Sequence, residues 1–598
     1  MADGKTAKTA ITTGDRRDFL RWCAGIGLTG AALAEAGRVM AQAPVGGPAP
    51  IADGVLAGGA ELAGLDFTAP ERDMMAAGAA DNRDAIRRLR QVSLGNEVAP
   101  ALIFTPLMPG VVNLGRPREE IRGPYDVVAA ASSARPVPRT SRRPESRSPV
   151  RPPSPSDLAF LTIGELSRLI ESGGLTSREL TELYLDRLQR YDPQLECVIT
   201  LTTDLARRQA DLADAEIRAG RYRGPLHGIP YGAKDLLATR GIQTTWGAEP
   251  FRGQVPREDA TVIHRLAEAG AVLVAKTAVG ALAYGDVWFG GTTKNPWKPD
   301  QGSSGSSAGS SSGTAAGLFA FGIGTETLGS IVSPCTRCGT TGLRPTFGRV
   351  SRHGAMALSW SMDKIGPIAR SVTDCALVFD AIHGADGRDV SVHDAPFTAD
   401  IDAHVPDWTR LRIGYDRAAF EEAREEKGFD DDVLEAMRRL GVNLVPVQFP
   451  DLPVNDMLLL LECEAAAAFD ELTRTNQDEQ LKRQTAQAWP NIFRTARLIP
   501  AVEYIQANRI RTLLIQQFDR TMADIDVYLS PTYGGISLRA TNLTGHPCVV
   551  LPTGFRADGT PASVTFMGRL FGEEALLAVS RAYQEATGWH RRRPPGFA

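Results

Sequence analysis

Short apolar runs bounded by glycine or proline alternate with amphipathic stretches through most of the chain after residue 156. The runs at 271–275, 527–529 and 548–551 have the length and composition of buried strands. Amphipathic stretches placed between such strands are typical of an α/β fold, in which helices cover a sheet. The pattern therefore predicts one large α/β domain over residues 157–598.

Three stretches carry the signature of amphipathic helices. Two lie near the start of this domain, over 161–170 and 179–188, and Thr176 stands three residues before Glu179, which is the spacing of a capping box. The second helix should therefore begin near Thr176. A third helix is predicted over 67–91, where good helix formers follow an early proline.

The N-terminus resembles a bacterial twin-arginine export signal over residues 1–43. Arg16 and Arg17 precede a mildly apolar run at 23–33, and Ala-Gln-Ala at 41–43 has the small-x-small form of a cleavage site. The alternative is the start of an ordinary amphipathic helix. No other apolar stretch approaches the length of about 18 residues that a spanning helix needs. We therefore expect an exported protein, periplasmic or extracellular, with no stable membrane span.

Two further segments separate this signal from the α/β domain. Residues 44–134 are predicted to form a partly helical N-terminal extension, and residues 135–156 a linker. The linker holds seven prolines and six arginines, a density of proline and like charge that prevents regular structure. A basic arm that binds a membrane or a polymer is the alternative interpretation.

Composition excludes several classes of protein. The 598 residues are 43% hydrophobic and 23% charged, as in globular proteins, and the net charge of -4 gives no global signal for nucleic acid. Six of the seven cysteines lie outside the export signal, and they are too widely scattered to indicate a disulfide framework. Cys335 and Cys338 form a lone CxxC without the second pair that a zinc site needs. Buried thiols are favoured, and no metal is expected.

A lysine closes the short, largely uncharged run LHGIPYGAKD at 226–235. An unpaired ammonium in such a run would be desolvated, and desolvation lowers a lysine pKa toward the range of a general base. The alternative for Lys234 is an ordinary surface or salt-bridged lysine.

The run GSSGSSAGSSSG at 302–313 has the composition of a flexible linker. The segment after the run argues against a linker, because an apolar stretch that must be buried follows directly at 314–323. Small residues let backbones approach closely and leave N–H groups exposed. Further on, Ser330 follows a glycine in GTETLGSI (324–331), where successive N–H groups could form an oxyanion nest. GxS tripeptides are common, so this last signal is weak alone.

These segments together resemble the amidase signature family. Ser306 stands 72 residues after Lys234 and 24 before Ser330, the order and spacing of that family. The resemblance extends over roughly 157–598, in segments 339–345 (GTTGLRP), 363–367, 526–532 and 545–552. It implies an α/β fold built on a large twisted mixed β-sheet covered on both faces by helices.

The resemblance also implies a mechanism. By position, Ser330 would be the nucleophile, Ser306 a bridging serine that follows a cis peptide bond, and Lys234 the base. Backbone N–H groups of Thr327, Leu328, Gly329 and Ser330 would hold the oxyanion. The implied activity is hydrolysis of the amide C–N bond of a small molecule without cofactor or metal. A homodimer is left open.

The chain departs from the family pattern around Ser330. The usual loop has Asp where Glu326 stands and Gly where Leu328 stands, and the usual Arg is replaced by Val332. Leucine restricts φ more than glycine does, so the shape of the pocket is in doubt. Glu326 keeps an acid at this position although that arginine is absent. The ion pair is therefore either missing or formed with a different partner.

Four alternatives stay open. The same triad could serve an esterase or urethanase, or a glutamine-hydrolysing subunit of a tRNA amidotransferase, which export argues against. A non-catalytic envelope-binding protein is a rival from another class. A Ser-His-Asp triad using His227, His353 or His546 is disfavoured, because no G-x-S-x-G elbow surrounds Ser330.

Overall fold

The computed structural model describes residues 49–95, 98, 100–102 and 150–597. Its strands are β1 Val198–Leu201, β2 Pro230–Lys234, β3 Val272–Thr277, β4 Val287–Trp288, β5 Gly291–Thr292, β6 Lys294–Asn295, β7 Lys298–Gly302, β8 Phe321–Glu326, β9 Thr341–Arg344, β10 Lys364–Ala369, β11 Ile413–Tyr415, β12 Val445–Pro446, β13 Val527–Pro531, β14 Cys548–Phe555 and β15 Pro561–Gly568. Eleven of them form one mixed sheet in the order β1-β3-β2-β8-β10-β9-β14-β15-β13-β11-β12. This confirms the predicted fold class.

The helices surround this sheet and its connections. They are α1 Asp53–Leu62, α2 Ala69–Leu89, α3 Pro155–Ala159, α4 Ile163–Glu171, α5 Ser177–Leu195, α6 Thr203–Arg218, α7 Thr261–Glu268, α8 Ala308–Ala315, α9 Val332–Cys338, α10 Val372–Ile382, α11 Ile401–His404, α12 Arg417–Glu421, α13 Lys427–Arg439, α14 Leu459–Ala468, α15 Asp470–Arg474, α16 Trp489–Ala496, α17 Ala501–Met522, α18 Ser537–Thr544 and α19 Glu573–Thr587. Among the described residues, none of these helices is long and apolar enough to cross a bilayer.

The centre of the sheet brings distant segments to one edge. β2 runs parallel to both β3 and β8, so Lys234 at the end of β2 and Glu326 at the end of β8 lie at the same edge. β10 runs antiparallel to β8 and begins there, with Lys364 opposite Glu326. These three strands are fully or almost fully buried, and so are Lys234, Glu326 and Lys364 at this edge.

The predicted helices and strands are confirmed with small shifts of boundary. α2 lies within the predicted 67–91 and α4 within 161–170 apart from its last residue. α5 begins after Thr176, and both bonds of the Thr176–Glu179 capping box are present. α5 continues seven residues beyond the predicted end at 188, through Pro193, until Glu196 adopts a left-handed conformation with φ 49°.

One helix was missed in the Gly/Ala/Pro-rich stretch that follows the predicted export signal. α1 contains three glycines, which lower helix propensity. Packing outweighs that cost, because Leu56 and Ala60 are buried against Phe67 and Met75 of the α2 segment. Tertiary burial of this kind leaves no strong periodic signal in a glycine-rich sequence.

The export signal at 1–43 and residues 135–149 of the predicted linker lie outside the described residues, so both stay predictions. The domain boundary at 157 also stays a prediction; α3 begins nearby, at Pro155. The six cysteines of the described residues are free thiols, five buried and Cys463 half-buried.

Candidate active site

Lys234 is fully buried at the end of β2 and faces hydroxyl groups instead of a carboxylate. Its Nζ lies 2.8 Å from Ser306 Oγ, 3.0 Å from Ser307 Oγ and 2.8 Å from Thr325 Oγ1. Among the described residues no acid comes within ion-pair distance of this amine. Burial lowers the pKa of Lys234 well below its usual value, although the more distant charges of Asp363 and Glu326 oppose the shift. The amine is therefore set up to be neutral and to accept a proton.

The serine-rich run is a buried loop and helix, not a tether. β7 ends at Gly302, the Gly305–Ser306 peptide bond is cis, and α8 begins at Ala308. The hydroxyls of the run bond to carbonyls of neighbouring elements, including Ser310 to Ile323 and Ser312 to Lys294. A Cβ on Gly309 would lie 2.1 Å from the Cys197 carbonyl oxygen. Only small residues fit here, and that requirement explains the linker-like composition.

Ser330 stands in the tight turn between β8 and α9, beside the serine-rich run. Its carbonyl accepts a bond from Ser307 N–H at 3.2 Å, and the residue is half-buried. Gly329 before it has φ 90°, a left-handed conformation that favours glycine. Within the described residues, the N–H groups of Leu328, Gly329 and Ser330 donate to no protein acceptor. The turn therefore presents free donors next to an accessible hydroxyl, as an oxyanion site requires.

Leu328 does not distort this turn. Its φ is negative, unlike that of the residues that take the left-handed region, and its side chain is 2% exposed within the main hydrophobic cluster. The leucine therefore turns into the core instead of crowding the donors beside Ser330.

Glu326 does form an ion pair, with an arginine from a different segment of the chain. Arg344 Nη1 donates to Glu326 Oε1 at 2.6 Å, and Asn542 Nδ2 donates to the same oxygen at 2.9 Å. The other oxygen accepts from the N–H groups of Ile331 and Val332 at 2.9 and 3.0 Å. Burial alone would raise the pKa of Glu326, but the Arg344 charge and these bonds bring it to about 2. The ionised carboxylate thus ties the start of α9 to the sheet.

Removing this cation should destabilise the protein. Arg344→Met would leave the carboxylate of Glu326 buried without its charge partner, and we expect the free energy of unfolding to fall by about 3–5 kcal/mol. Urea denaturation measures the change. Arg410→Met is the control, because Arg410 pairs with Asp407 on the surface at 86% exposure, where a pair contributes about 1 kcal/mol or less. Equal losses in the two variants would contradict the structural role of Arg344.

A loop before β10 holds the turn of Ser330 from the other side. Thr327 Oγ1 donates to Asp363 Oδ1 at 2.6 Å, and Asp363 Oδ2 accepts from the N–H groups of Leu358 and Ser359. No role for Asp363, Ser307 or Thr325 was predicted from the sequence. Asp363 and Arg344 lie in segments that carried the family resemblance, so their contact with this site could have been suspected. Nothing in the sequence distinguished Ser307 and Thr325 from the residues beside them.

The three histidines of the alternative triad are engaged elsewhere. His227 Nδ1 accepts from Arg223 N–H, His353 faces Glu258 and Arg388, and His546 bonds to Thr544. Burial lowers the pKa of His546 to about 3. In the part of the chain that the structure describes, none of them bonds to Ser330, and no group of three or more metal-binding side chains is present.

Comparison with known proteins places this geometry in a family. The sequence matches the family model described as Amidase over residues 179–577. The chain belongs to the amidase signature family. As an amidase-family hydrolase it acts on amide C–N bonds.

Relatives of this amidase cover its catalytic part. It is 35% identical over 483 residues to the A-type subunit of the glutamyl-tRNA(Gln) amidotransferase of Chloroflexus aggregans, covering 73% of this chain and 99% of the relative. The solved peptide amidase of Stenotrophomonas maltophilia is 32% identical, with TM-score 0.65 and coverage of 73% and 98%. A bacterial aryl acylamidase has the same fold at 22% identity, with TM-score 0.64 and coverage of 72% and 97%.

Proposed function

We propose that this amidase hydrolyses a small-molecule carboxylic amide to the acid and an amine or ammonia, with Ser330 as nucleophile, Ser306 as bridging serine and Lys234 as base. The observation that carries the proposal is the buried Lys234, which has no acid partner among the described residues and stands 2.8 Å from Ser306 Oγ. A neutral amine has two protons and here faces more than two oxygen atoms. At least one hydroxyl can therefore donate to its lone pair.

The proposed proton path runs from Ser330 through Ser306 to Lys234. Lys234 takes the proton of Ser306 as Ser306 takes that of Ser330, and Ser330 Oγ attacks the carbonyl carbon. The oxyanion is held by the N–H groups of the turn formed by Thr327, Leu328, Gly329 and Ser330, where one lost donor typically costs about 10²–10³ in rate. The relay returns the proton to the leaving nitrogen as the C–N bond breaks. Water, deprotonated by the same relay, then releases the acid from Ser330.

A panel of amides tests the reaction and its range. Purified protein should release acid and amine from at least one class among fatty, aryl, peptide C-terminal and cyclic amides, without added metal. Esters and carbamates in the same panel distinguish an esterase or urethanase, which would use the same acyl-enzyme. Glutamine hydrolysis with the other substrates inert would favour the amidotransferase-type subunit. Absence of turnover together with absence of fluorophosphonate labelling would favour a non-catalytic binding protein.

We further propose that the protein is exported through the twin-arginine route. Replacing Arg16 and Arg17 by lysines should keep it in the cytoplasm, because the route reads the arginine pair directly. Fractionation of cells that express each form measures the distribution. The same distribution for both forms would contradict the proposal, and replacement of Arg21 by lysine, outside the pair, is the control.

A further inference from the structure

The N-terminal arm, which comprises α1, α2 and the described residues 90–102, lies outside the part shared with the relatives. The relatives are covered almost end to end by 73% of this chain. The family match begins only at residue 179, so most of the remaining chain precedes it. The arm nevertheless packs directly on two helices of the catalytic part, α16 and α17.

On α16, the arm forms a buried ion pair and an apolar contact. Arg494 Nη2 lies 2.7 Å from Glu71 Oε1, with the two side chains 3% and 11% exposed. Asn491 Nδ2 donates to the Met74 carbonyl at 3.2 Å. Leu498, just beyond α16, joins the small hydrophobic cluster of the arm. These residues lie along one face of α16, at the spacing of successive helical turns.

The other face of α16 packs on the loop at 282–285, which borders the serine-rich run. Trp489 Nε1 donates to the Leu282 carbonyl at 2.9 Å, and the Trp489 ring centre is 4.9 Å from that of Tyr284. Tyr284 precedes Gly285, whose carbonyl oxygen lies 1.9 Å from where a Cβ on Gly305 would stand. Gly305 is in backbone contact with this loop and precedes Ser306. A chain of contacts therefore runs from the arm through α16 and this loop to Gly305, next to Ser306.

On the turn before α14 and on α17, the arm forms further polar contacts. Arg88 lies against Asp456 with three bonds of 2.6 to 2.9 Å, in the turn that leads into α14. Arg90 pairs with Glu503 of α17. Arg509 Nε donates to the Val98 carbonyl at 2.7 Å. The arm therefore holds α17 along its first half.

The inner side of α17 supports the loop before β10. Arg511 donates to Ser361 Oγ and to the Ser361 carbonyl, each at 2.8 Å. Tyr504 donates to Glu464, which also accepts from Ser361. The same loop ends at Asp363, the acceptor of the Thr327 hydroxyl. A second chain of contacts therefore runs from the arm to the turn of Ser330.

We propose that the N-terminal arm positions the two loops that border the triad, with Glu71 and Arg88 as positioning residues. The proposal rests on the function proposed above. The arm acts through α16 on the loop beside Gly305, and through α14 and α17 on the loop that holds Thr327. Small displacements of a site by distant changes cost up to about 10²-fold in rate, so loosening the arm lowers turnover while the triad stays intact.

The test uses the full-length variant Glu71→Gln/Arg88→Met, which weakens two of the three ion pairs that join the arm to the catalytic part. We expect hydrogen exchange in α2 to rise, and kcat for a hydrolysed amide to fall about tenfold with KM changed much less. Arg88→Lys, which keeps a charge for Asp456, should retain most of the rate. Arg87→Met is the matched control, because Arg87 is the neighbouring arginine and pairs with Asp84 of its own helix.

Each outcome decides the question. A kcat within twofold of wild type while α2 exchanges faster would overturn the proposal, and so would unchanged exchange in α2. If the double variant does not fold, Arg88→Met alone is judged by the same two readouts. Failure of the proposed function would give a different result. The wild-type protein would then neither hydrolyse amides nor react with a fluorophosphonate at Ser330.

Discussion

Ser330→Ala should lose amide hydrolysis almost completely, with kcat lowered by roughly 10⁶-fold, the scale seen when the nucleophile of a serine hydrolase is removed. Ser330 is half-buried, and among the described residues the N–H groups at 328–330 have no protein acceptor. The alanine variant therefore keeps the fold and the oxyanion donors but has no attacking oxygen. Initial rates on an amide hydrolysed by the wild type measure the loss.

Ser312→Ala is the control for this prediction. Ser312 is a buried serine of the neighbouring serine-rich run, and its hydroxyl donates to the Lys294 carbonyl at 2.8 Å. Its loss should cost about 1 kcal/mol of stability and leave the rate near that of the wild type. Substantial turnover in Ser330→Ala, with Ser312→Ala unchanged, would show that another residue attacks the substrate.

Lys234→Met should lower kcat by about 10³-fold or more while the protein stays folded. The base of the relay is lost, and general base catalysis alone contributes about 10²–10⁴. No carboxylate is left unpaired by this change, so the free energy of unfolding should fall by less than about 2 kcal/mol. Steady-state kinetics and urea denaturation on the same preparation measure both effects.

Lys276→Met is the matched control, because Lys276 is the other fully buried lysine beside β2. Its Nζ lies 3.2 Å from Asp235 Oδ1 and donates to the Leu237 carbonyl at 2.9 Å. Removing it leaves the buried carboxylate of Asp235 without its charge partner, so the free energy of unfolding should fall by about 3–5 kcal/mol. Loss of stability in Lys234→Met with a normal rate would contradict the assignment of the base.

The pH dependence of the wild type follows from the same lysine. Burial lowers the pKa of Lys234, so the amine is neutral and active at higher pH and becomes protonated and inactive as the pH falls through that pKa. We expect kcat/KM to decline on the acid side with the slope of one proton. The residual activity of Lys234→Met should lack this decline.

The sequence allowed the elements around the site to be predicted because their physical requirements are local. Buried strands need unbroken apolar runs, and the capping box of Thr176 is complete within four residues. The serine-rich run could be separated from a linker because an apolar segment follows it directly. Lys234 and Ser306 were paired by spacing and resemblance, and the structure places them 2.8 Å apart.

What the sequence left open depends on contacts between distant segments. The partner of Glu326 is Arg344, 18 residues later on another strand, together with Asn542 far down the chain. The role of residues 44–134 could not be predicted either, since Glu71 and Arg88 form ion pairs with residues about 370 to 420 positions away. Pairings of this kind are fixed by tertiary packing and leave no periodic pattern in either segment.

Trapping the covalent intermediate tests the central claim most directly. Wild-type protein is quenched in acid during turnover of an amide or activated ester that it accepts, and the modified peptide is sequenced by mass spectrometry. We expect one acyl group on Ser330, absent from Ser330→Ala and strongly reduced in Lys234→Met. An acyl group on Ser306 or on any other residue of the wild type, or equal acylation of wild type and Ser330→Ala, would contradict the assignment of Ser330 as nucleophile.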